Sequence, residues 1–188
     1  SLNLFKNGRT RHIEGLDVSP DRVAEGERNR VASHAPGQFV VADVNTLQLQ
    51  AHAYDLIFSC HSFHHFQALE SVMEQVHGAL TPRGVFMEEF VGPTQFQWTD
   101  EQLDVVKSLS ALIPERLRML PWGAVKPFEG RPTPAEVVAV SPFESIRSSE
   151  IVPLFGRYFD IVAIRRLGGT VQHLLYNGII HNFADDDA

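Results

Sequence analysis

The stretch Ile13-Glu-Gly-Leu-Asp-Val-Ser-Pro-Asp21 decides the fold class of this chain. Its first six residues are typical of a short buried strand. Ser19 and Pro20 then predict the start of a helix, because serine caps the first amides and proline suits the first helical position. Asp17 therefore stands between a strand and a helix. In parallel sheets, ligands bind at this carboxyl edge of the strands.

The alternation of strand and helix continues downstream. Asp43 ends the second predicted strand, as Asp17 ends the first. Strands that alternate with helices predict an α/β fold, here a Rossmann-like, doubly wound, mostly parallel sheet with helices on both faces. The predicted elements are the helix from Pro20 to about Ser33 (Val23, Ala24, Val31 and Ala32 inward), the strands 38–42, 54–60, 85–91 and 159–164, the helices 67–80, 149–155 and 171–183, and a turn at 81–84.

Residues 92–148 form an insertion between the fourth and fifth predicted strands. Thr99 can cap a helix from Asp100 to Ile113, and six prolines then interrupt the chain. A long irregular excursion beside the carboxyl edge of a sheet predicts a lid over a substrate site. The alternative is a packing element that does not contact substrate. Residues 1–188 are otherwise expected to form a single domain.

Charge and cysteine content narrow the possible partners and compartments. The formal net charge of −7 disfavours nucleic acid, since phosphate binding depends on Lys and Arg. Cys60 is the single cysteine, so no intrachain disulfide can form and a reducing compartment is expected. The sequence has no apolar stretch long enough for a membrane span and no signal-peptide pattern at its start. We therefore expect a cytoplasmic protein without membrane or nucleic-acid partners.

Three polar positions end predicted strands: Asp17, Asp43 and the run from Ser59 to His61. The Asp17 carboxylate could accept two hydrogen bonds from a ribose diol, and the backbone after Asp43 could contact an adenine edge. Each acid could instead cap a helix or turn. Two such acids on strands separated by one helix favour a nucleoside-type ligand.

Four segments in the same order resemble the class I S-adenosylmethionine-dependent methyltransferases. E-G-L-D-V-S-P-D (14–21) is similar to that family's second strand with its ribose-binding acid, and V-A-D-V (41–44) to its adenine loop. Y-D-L-I-F-S-C-H-S-F-H-H-F (54–66) and L-T-P-R-G-V-F (80–86) are similar to its fourth strand and the turn before its fifth. The resemblance implies S-adenosylmethionine as cofactor, bound by Asp17, Val18, Asp43, Val44, Cys60 and His61.

The glycine-rich loop of that family, G-x-G-x-G, does not occur in this sequence. In the family this loop joins the first strand to the first helix, and its glycines let the backbone approach the methionine part of the cofactor. The resemblance therefore implies a truncated or divergent chain that lacks the first strand and the last. Such a chain is expected to hold the adenosine half of the cofactor alone.

The resemblance also implies direct displacement at the sulfonium methyl, aided by a base if the acceptor is a hydroxyl or amine. Candidates for the base are Glu88, Glu89 and the histidines at 61, 64 and 65. Successive strand residues face opposite sides. Glu89, nearer the carboxyl end, is the predicted catalytic residue, or a structural carboxylate paired with an arginine. The apolar, aromatic insertion favours a small-molecule acceptor.

Two rival hypotheses belong to other functional classes. His61, His64 and His65, with Asp17, Asp43 or Glu89, could bind a divalent metal in a hydrolase or oxygenase. Their spacing is not that of a known metal motif, and we primarily expect that the chain binds no metal. A methyltransferase-like chain without its cofactor loop could also be a non-catalytic interaction protein. An uncovered sheet edge would then favour a homodimer.

Overall fold

The structure, a computed structural model, describes residues 6–88, 92–128, 130–166 and 169–183. The chain divides into two compact units. Unit 1 comprises residues 1–57 and 70–86, and unit 2 comprises residues 58–69 and 87–188. Among the described residues, no helix has both the length and the apolar character that a membrane span requires.

In the part of the chain that the structure describes, four strands form two small sheets. β1 and β2 pair in parallel, with Asp17 opposite Val41, and β3 pairs with β4. These parallel strands and the helices between strands confirm the predicted Rossmann-like α/β class, although each sheet has two strands. The strands are β1 (Ile13–Asp17), β2 (Gly37–Val41), β3 (Tyr54–Ser59) and β4 (Leu80–Glu88).

Six α-helices lie in the described part of the chain, together with short 3₁₀ turns. The helix predicted after β1 and the one predicted after Thr99 are both present within one or two residues of their expected bounds. The helices are α1 (Pro20–Ala32), α2 (Leu69–Ala79), α3 (Asp100–Leu112), α4 (Pro134–Val140), α5 (Ile151–Tyr158) and α6 (Gly169–Tyr176).

The β1–α1–β2 segment confirms the predicted element boundaries and corrects the predicted inward face. Ser19 caps α1 by accepting the Arg22 amide, and Pro20 occupies the first turn. The ring of Phe39 lies so close to Gly15 and Gly26 that a Cβ at either glycine would meet it at under 3 Å. The helix therefore approaches the sheet at Gly26. The residues predicted to face inward at Ala24, Val31 and Ala32 are exposed instead.

Helix α2, which lies between β3 and β4 in the chain, contributes several buried apolar residues. Its apolar residues at helical spacing are buried, namely Leu69, Val72, Met73 and Val76. The turn predicted for residues 81–84 is wrong, because β4 begins at Leu80, directly after the helix. Pairing with β3 keeps this segment extended, and the Thr81 hydroxyl donates to Asp55 at 3.1 Å.

Unit 2 is mainly helical and differs from the sequence prediction at two places. The segment 159–164 is not a strand, and Val162 is 88% exposed. No described strand lies beside it to complete backbone pairing, and a lone strand is not stable in water. Helix α4 lies inside the segment predicted to be irregular. Its start is stabilised by a capping box between Thr133 and Glu136.

Candidate functional site

Asp17 and Asp43 follow neighbouring parallel strands at the same edge of the unit 1 sheet. Asp17 is the last residue of β1, and its carbonyl oxygen accepts the Ala42 amide at 3.0 Å. Asp43 therefore comes one residue after a direct contact between the two strand ends. The structure thus brings together the two acids that sequence reasoning selected, at the carboxyl edge where parallel sheets bind ligands.

Both carboxylates also stabilise the chain that follows them. Oδ1 of Asp17 accepts the Ser19 amide at 2.8 Å, and Oδ1 of Asp43 accepts the backbone and side-chain N–H groups of Asn45 at 2.9 and 2.8 Å. These contacts orient each side chain and occupy one oxygen, Oδ1, of each carboxylate. Within the described part of the chain no hydrogen bond reaches Oδ2 of either acid.

The remaining acceptors suit the adenosine half of S-adenosylmethionine. A ribose diol offers two O–H donors, and an oriented, partly exposed carboxylate such as Asp17 can accept them. Val18, 65% exposed beside it, offers an apolar surface, and Val44 is half-buried after Asp43. The hydrogen-bonding groups at this edge of the sheet therefore fit an adenosine.

Cys60 and His61 belong to unit 2. Both are exposed, and the Cys60 carbonyl accepts the Ser62 hydroxyl at 2.8 Å. His61 has a φ of +50°, an uncommon value for a residue other than glycine. The backbone thus changes direction after β3 at a residue with a left-handed conformation. Glu89, the predicted catalytic residue, lies outside the described residues.

A polar cluster in unit 2 joins the 3₁₀ turn Phe63–His65 to a loop after α4. Glu144 Oε1 lies 3.6 Å from His64 Nε2, and Glu144 Oε2 lies 3.8 Å from His65 Nδ1. The ring centroids of the two histidines are 4.0 Å apart. Sequence reasoning selected both histidines but missed Glu144. No local signal could have found it, because about 80 residues separate it from the histidines.

Burial controls the charge of His64 in this cluster. Desolvation, followed by electrostatic interaction with His65 and His61, lowers the pKa of His64 to about 4. At neutral pH the imidazole is therefore uncharged, although a carboxylate is near. The contact between His64 and Glu144 is a polar contact between neutral and charged groups, not an ion pair.

Comparison with known proteins agrees with the geometry of the β1–α1–β2 segment. The sequence model of the family described as "Methyltransferase domain" matches residues 1–87, a little under half of the chain. The match agrees with the resemblance of the same residues to the class I S-adenosylmethionine-dependent methyltransferases. The cofactor of that family is S-adenosylmethionine. The matched methyltransferase segment contains Asp17, Val18, Asp43, Val44, Cys60 and His61.

Similar proteins extend the comparison beyond the family match. The YcgJ protein of Bacillus subtilis is similar in fold, with 15% identity and a TM-score of 0.51 over 99% of this chain and 74% of that one. An S-adenosylmethionine-dependent methyltransferase from Mesorhizobium loti is 24% identical, with a TM-score of 0.43 over 52% of this chain and 46% of its own.

A curated relative has a different activity in its name. It is "Arginine-hydroxylase NDUFAF5, mitochondrial" of Danio rerio, which is 38% identical over 65 residues. The match covers 35% of this chain and 20% of the relative. The chain thus spans about a fifth of that relative and about half of the Mesorhizobium structure.

Proposed function

We propose that this chain contributes the adenosine-binding part of an S-adenosylmethionine-dependent methyltransferase whose acceptor is a small molecule. The observation that supports this most is the placement of Asp17 and Asp43 at the carboxyl ends of two paired parallel strands. When bound, the cofactor supplies a methyl group on a sulfonium centre. The chain's own residues orient that cofactor.

Each acid has a distinct role in this proposal. Asp17 accepts the ribose hydroxyls through its carboxylate, which the Ser19 amide holds in place. The backbone of Val44 after Asp43 borders the adenine, and the exposed Val18 covers one side of the sugar.

The acceptor and the base are also proposals. Glu89 is the proposed general base for a hydroxyl or amine acceptor. The net charge of −7 supports a small molecule in preference to a polyanion such as nucleic acid. Segment 92–148 is proposed as the lid over that acceptor, in a cytoplasmic enzyme.

Calorimetric binding of S-adenosylhomocysteine tests the proposed cofactor site. We expect Asp17→Ala to weaken binding by roughly 10- to 100-fold, the loss typical of hydrogen bonds to a charged group. Asp21→Ala is the matched control, because Asp21 is an exposed acid four residues away in the first turn of α1. Where the coding sequence continues upstream, the titration is repeated in a chain extended by about 40 residues, enough for a strand, a loop and a helix start.

The outcomes separate the proposal from its alternatives. Binding that Asp17→Ala weakens and Asp21→Ala leaves intact supports the methyltransferase. Equal weakening by both variants would point to a general charge effect. No binding in either length of chain contradicts the proposal and favours a non-catalytic interaction protein, for which the exposed Leu16 and Val41 of the sheet would be the first surface to mutate.

Hydroxylation is a second candidate, favoured by the name of the zebrafish relative and by its 38% identity in the matched segment. The two activities leave different marks on an acceptor. Mass spectrometry distinguishes the gain of a methylene unit from the gain of an oxygen atom. Incubation with S-adenosylmethionine labelled in its methyl group identifies methyl transfer, since the label passes to the acceptor in that reaction alone.

A further inference from the structure

We propose that His64, His65 and Glu144 form a binding site for a divalent first-row transition-metal ion. The site lies wholly in unit 2 and does not depend on the proposed methyl transfer. Two imidazoles and one carboxylate are a donor set that suits Zn²⁺ and Fe²⁺, and three protein ligands leave a position open for water or substrate.

The distances between ligand atoms show how far the three residues must move to bind one ion. One ligand atom from each residue can be chosen so that all three lie within 4.8 Å of one another. Ligands about 2.0–2.2 Å from Zn²⁺ in a tetrahedral site are themselves about 3.3–3.6 Å apart. The separations of 3.6 and 3.8 Å join the two histidines to different oxygens of Glu144. For one oxygen and two ring nitrogens to bind the same ion, ligand atoms now up to 4.8 Å apart must approach by up to about 1.5 Å.

Packing holds the three residues in this arrangement. Phe63, 1% exposed, anchors the turn before the histidines through ring contacts with Phe66 at 5.0 Å and Phe155 at 6.0 Å. On the opposite side, Ser145 is fully buried directly after Glu144. A site whose backbone is held in this way loses less conformational entropy on binding an ion than one assembled from mobile segments.

The ring nitrogens of the two histidines differ in their surroundings. His64 Nε2 lies 3.6 Å from Glu144 Oε1 and is the nitrogen that would bind the ion. His65 Nδ1 lies 3.3 Å from the Phe143 carbonyl oxygen, so without metal it is placed to donate a hydrogen bond there. Binding therefore requires the tautomer of His65 with its proton on Nε2, and it breaks this one hydrogen bond.

Equilibrium dialysis with Zn²⁺ and visible spectroscopy with Co²⁺ test the site in the metal-stripped protein, without S-adenosylmethionine. We expect one ion per wild-type chain and a Co²⁺ spectrum typical of nitrogen and oxygen ligands. Glu144→Gln and His65→Gln are expected to weaken binding by at least about 10-fold. The control is His181→Gln, which removes an exposed histidine elsewhere in unit 2 and is expected to leave binding unchanged.

Thermal unfolding distinguishes a lost site from a misfolded variant. Zn²⁺ should raise the midpoint of the wild-type protein and of His181→Gln, because an ion that binds the folded state stabilises it. The midpoint of Glu144→Gln without metal should resemble the wild type, and Zn²⁺ should not raise it. Equal binding by Glu144→Gln and the wild type, or no stoichiometric binding by the wild type, would overturn the proposal. Neither result bears on S-adenosylhomocysteine binding.

Discussion

At the scale of single residues, the hydrogen bond from Tyr54 to Glu14 links the two sheets of unit 1. The Tyr54 hydroxyl donates to Glu14 Oε2 at 2.7 Å, between β3 and β1. This bond, then burial and the negative charge of Glu14, raise the pKa of Tyr54 to about 12. The phenol is therefore held in its neutral, donating form through the physiological pH range.

Spectrophotometric titration of the tyrosines measures this interaction. In Glu14→Gln we expect the pKa of Tyr54 to fall from about 12 toward about 10, its ordinary value. The folded pKa is the raised one. The stabilisation is therefore complete below pH ~10 and is lost as the pH rises toward 12. Glu25→Gln, an exposed acid on α1, should leave the titration unchanged, and a shift in that variant would contradict the assignment.

At the scale of elements, the pairing of β1 with β2 depends on close backbone approach at Gly37. This glycine has a φ of +129°, and a Cβ there would lie 1.7 Å from the Ile13 carbonyl oxygen. A backbone clash of that size cannot be relieved by a side-chain rotation. The strand that positions Asp43 therefore begins at a residue that must be glycine.

Chemical denaturation of two glycine variants tests this requirement. Gly37→Ala should lower the free energy of unfolding by at least about 1–3 kcal/mol, because it combines an unfavourable φ with a clash against β1. Gly78→Ala is the opposite control. Nothing lies within 4 Å of the added Cβ in α2, so it should stabilise by about 0.5–1 kcal/mol. Two variants of equal stability would refute the steric argument.

At the scale of the whole molecule, unit 2 is assembled from two distant parts of the chain. The short segment 58–69 packs among residues that follow position 87. Phe63 contacts Phe155, and Arg147 donates to the Gln67 carbonyl at 2.9 Å. These contacts place the turn that carries His64 against the loop that carries Glu144.

Phe63 should therefore be essential to the stability of unit 2. Phe63→Ala removes a ring that is 1% exposed, and we expect a loss of about 3–5 kcal/mol in the free energy of unfolding. Denaturant titration followed by circular dichroism measures it. Trp122→Ala, at a side chain 74% exposed in the same unit, should change stability by less than about 0.5 kcal/mol. Comparable losses in the two variants would mean that Phe63 is not a core residue.

Local features of the sequence predicted much of the fold and part of the site. Ser19 and Thr99 mark the starts of α1 and α3, and the apolar spacing of α2 identifies its buried side. The position of Asp17 at the end of β1 was likewise predicted correctly, and Asp43 lies two residues beyond the end of β2. Each of these features depends on residues within about four positions, since caps and helical faces are set by the nearest turns.

Tertiary structure alone decided the rest. Residues 81–84 have turn-forming chemistry, yet pairing with β3 makes them a strand, while the strand-like segment 159–164 has no described neighbour to pair with. Glu144 joins His64 and His65 through packing between segments about 80 residues apart. Local sequence preferences are worth about 1 kcal/mol or less per residue, so burial and strand pairing outweigh them wherever the two conflict.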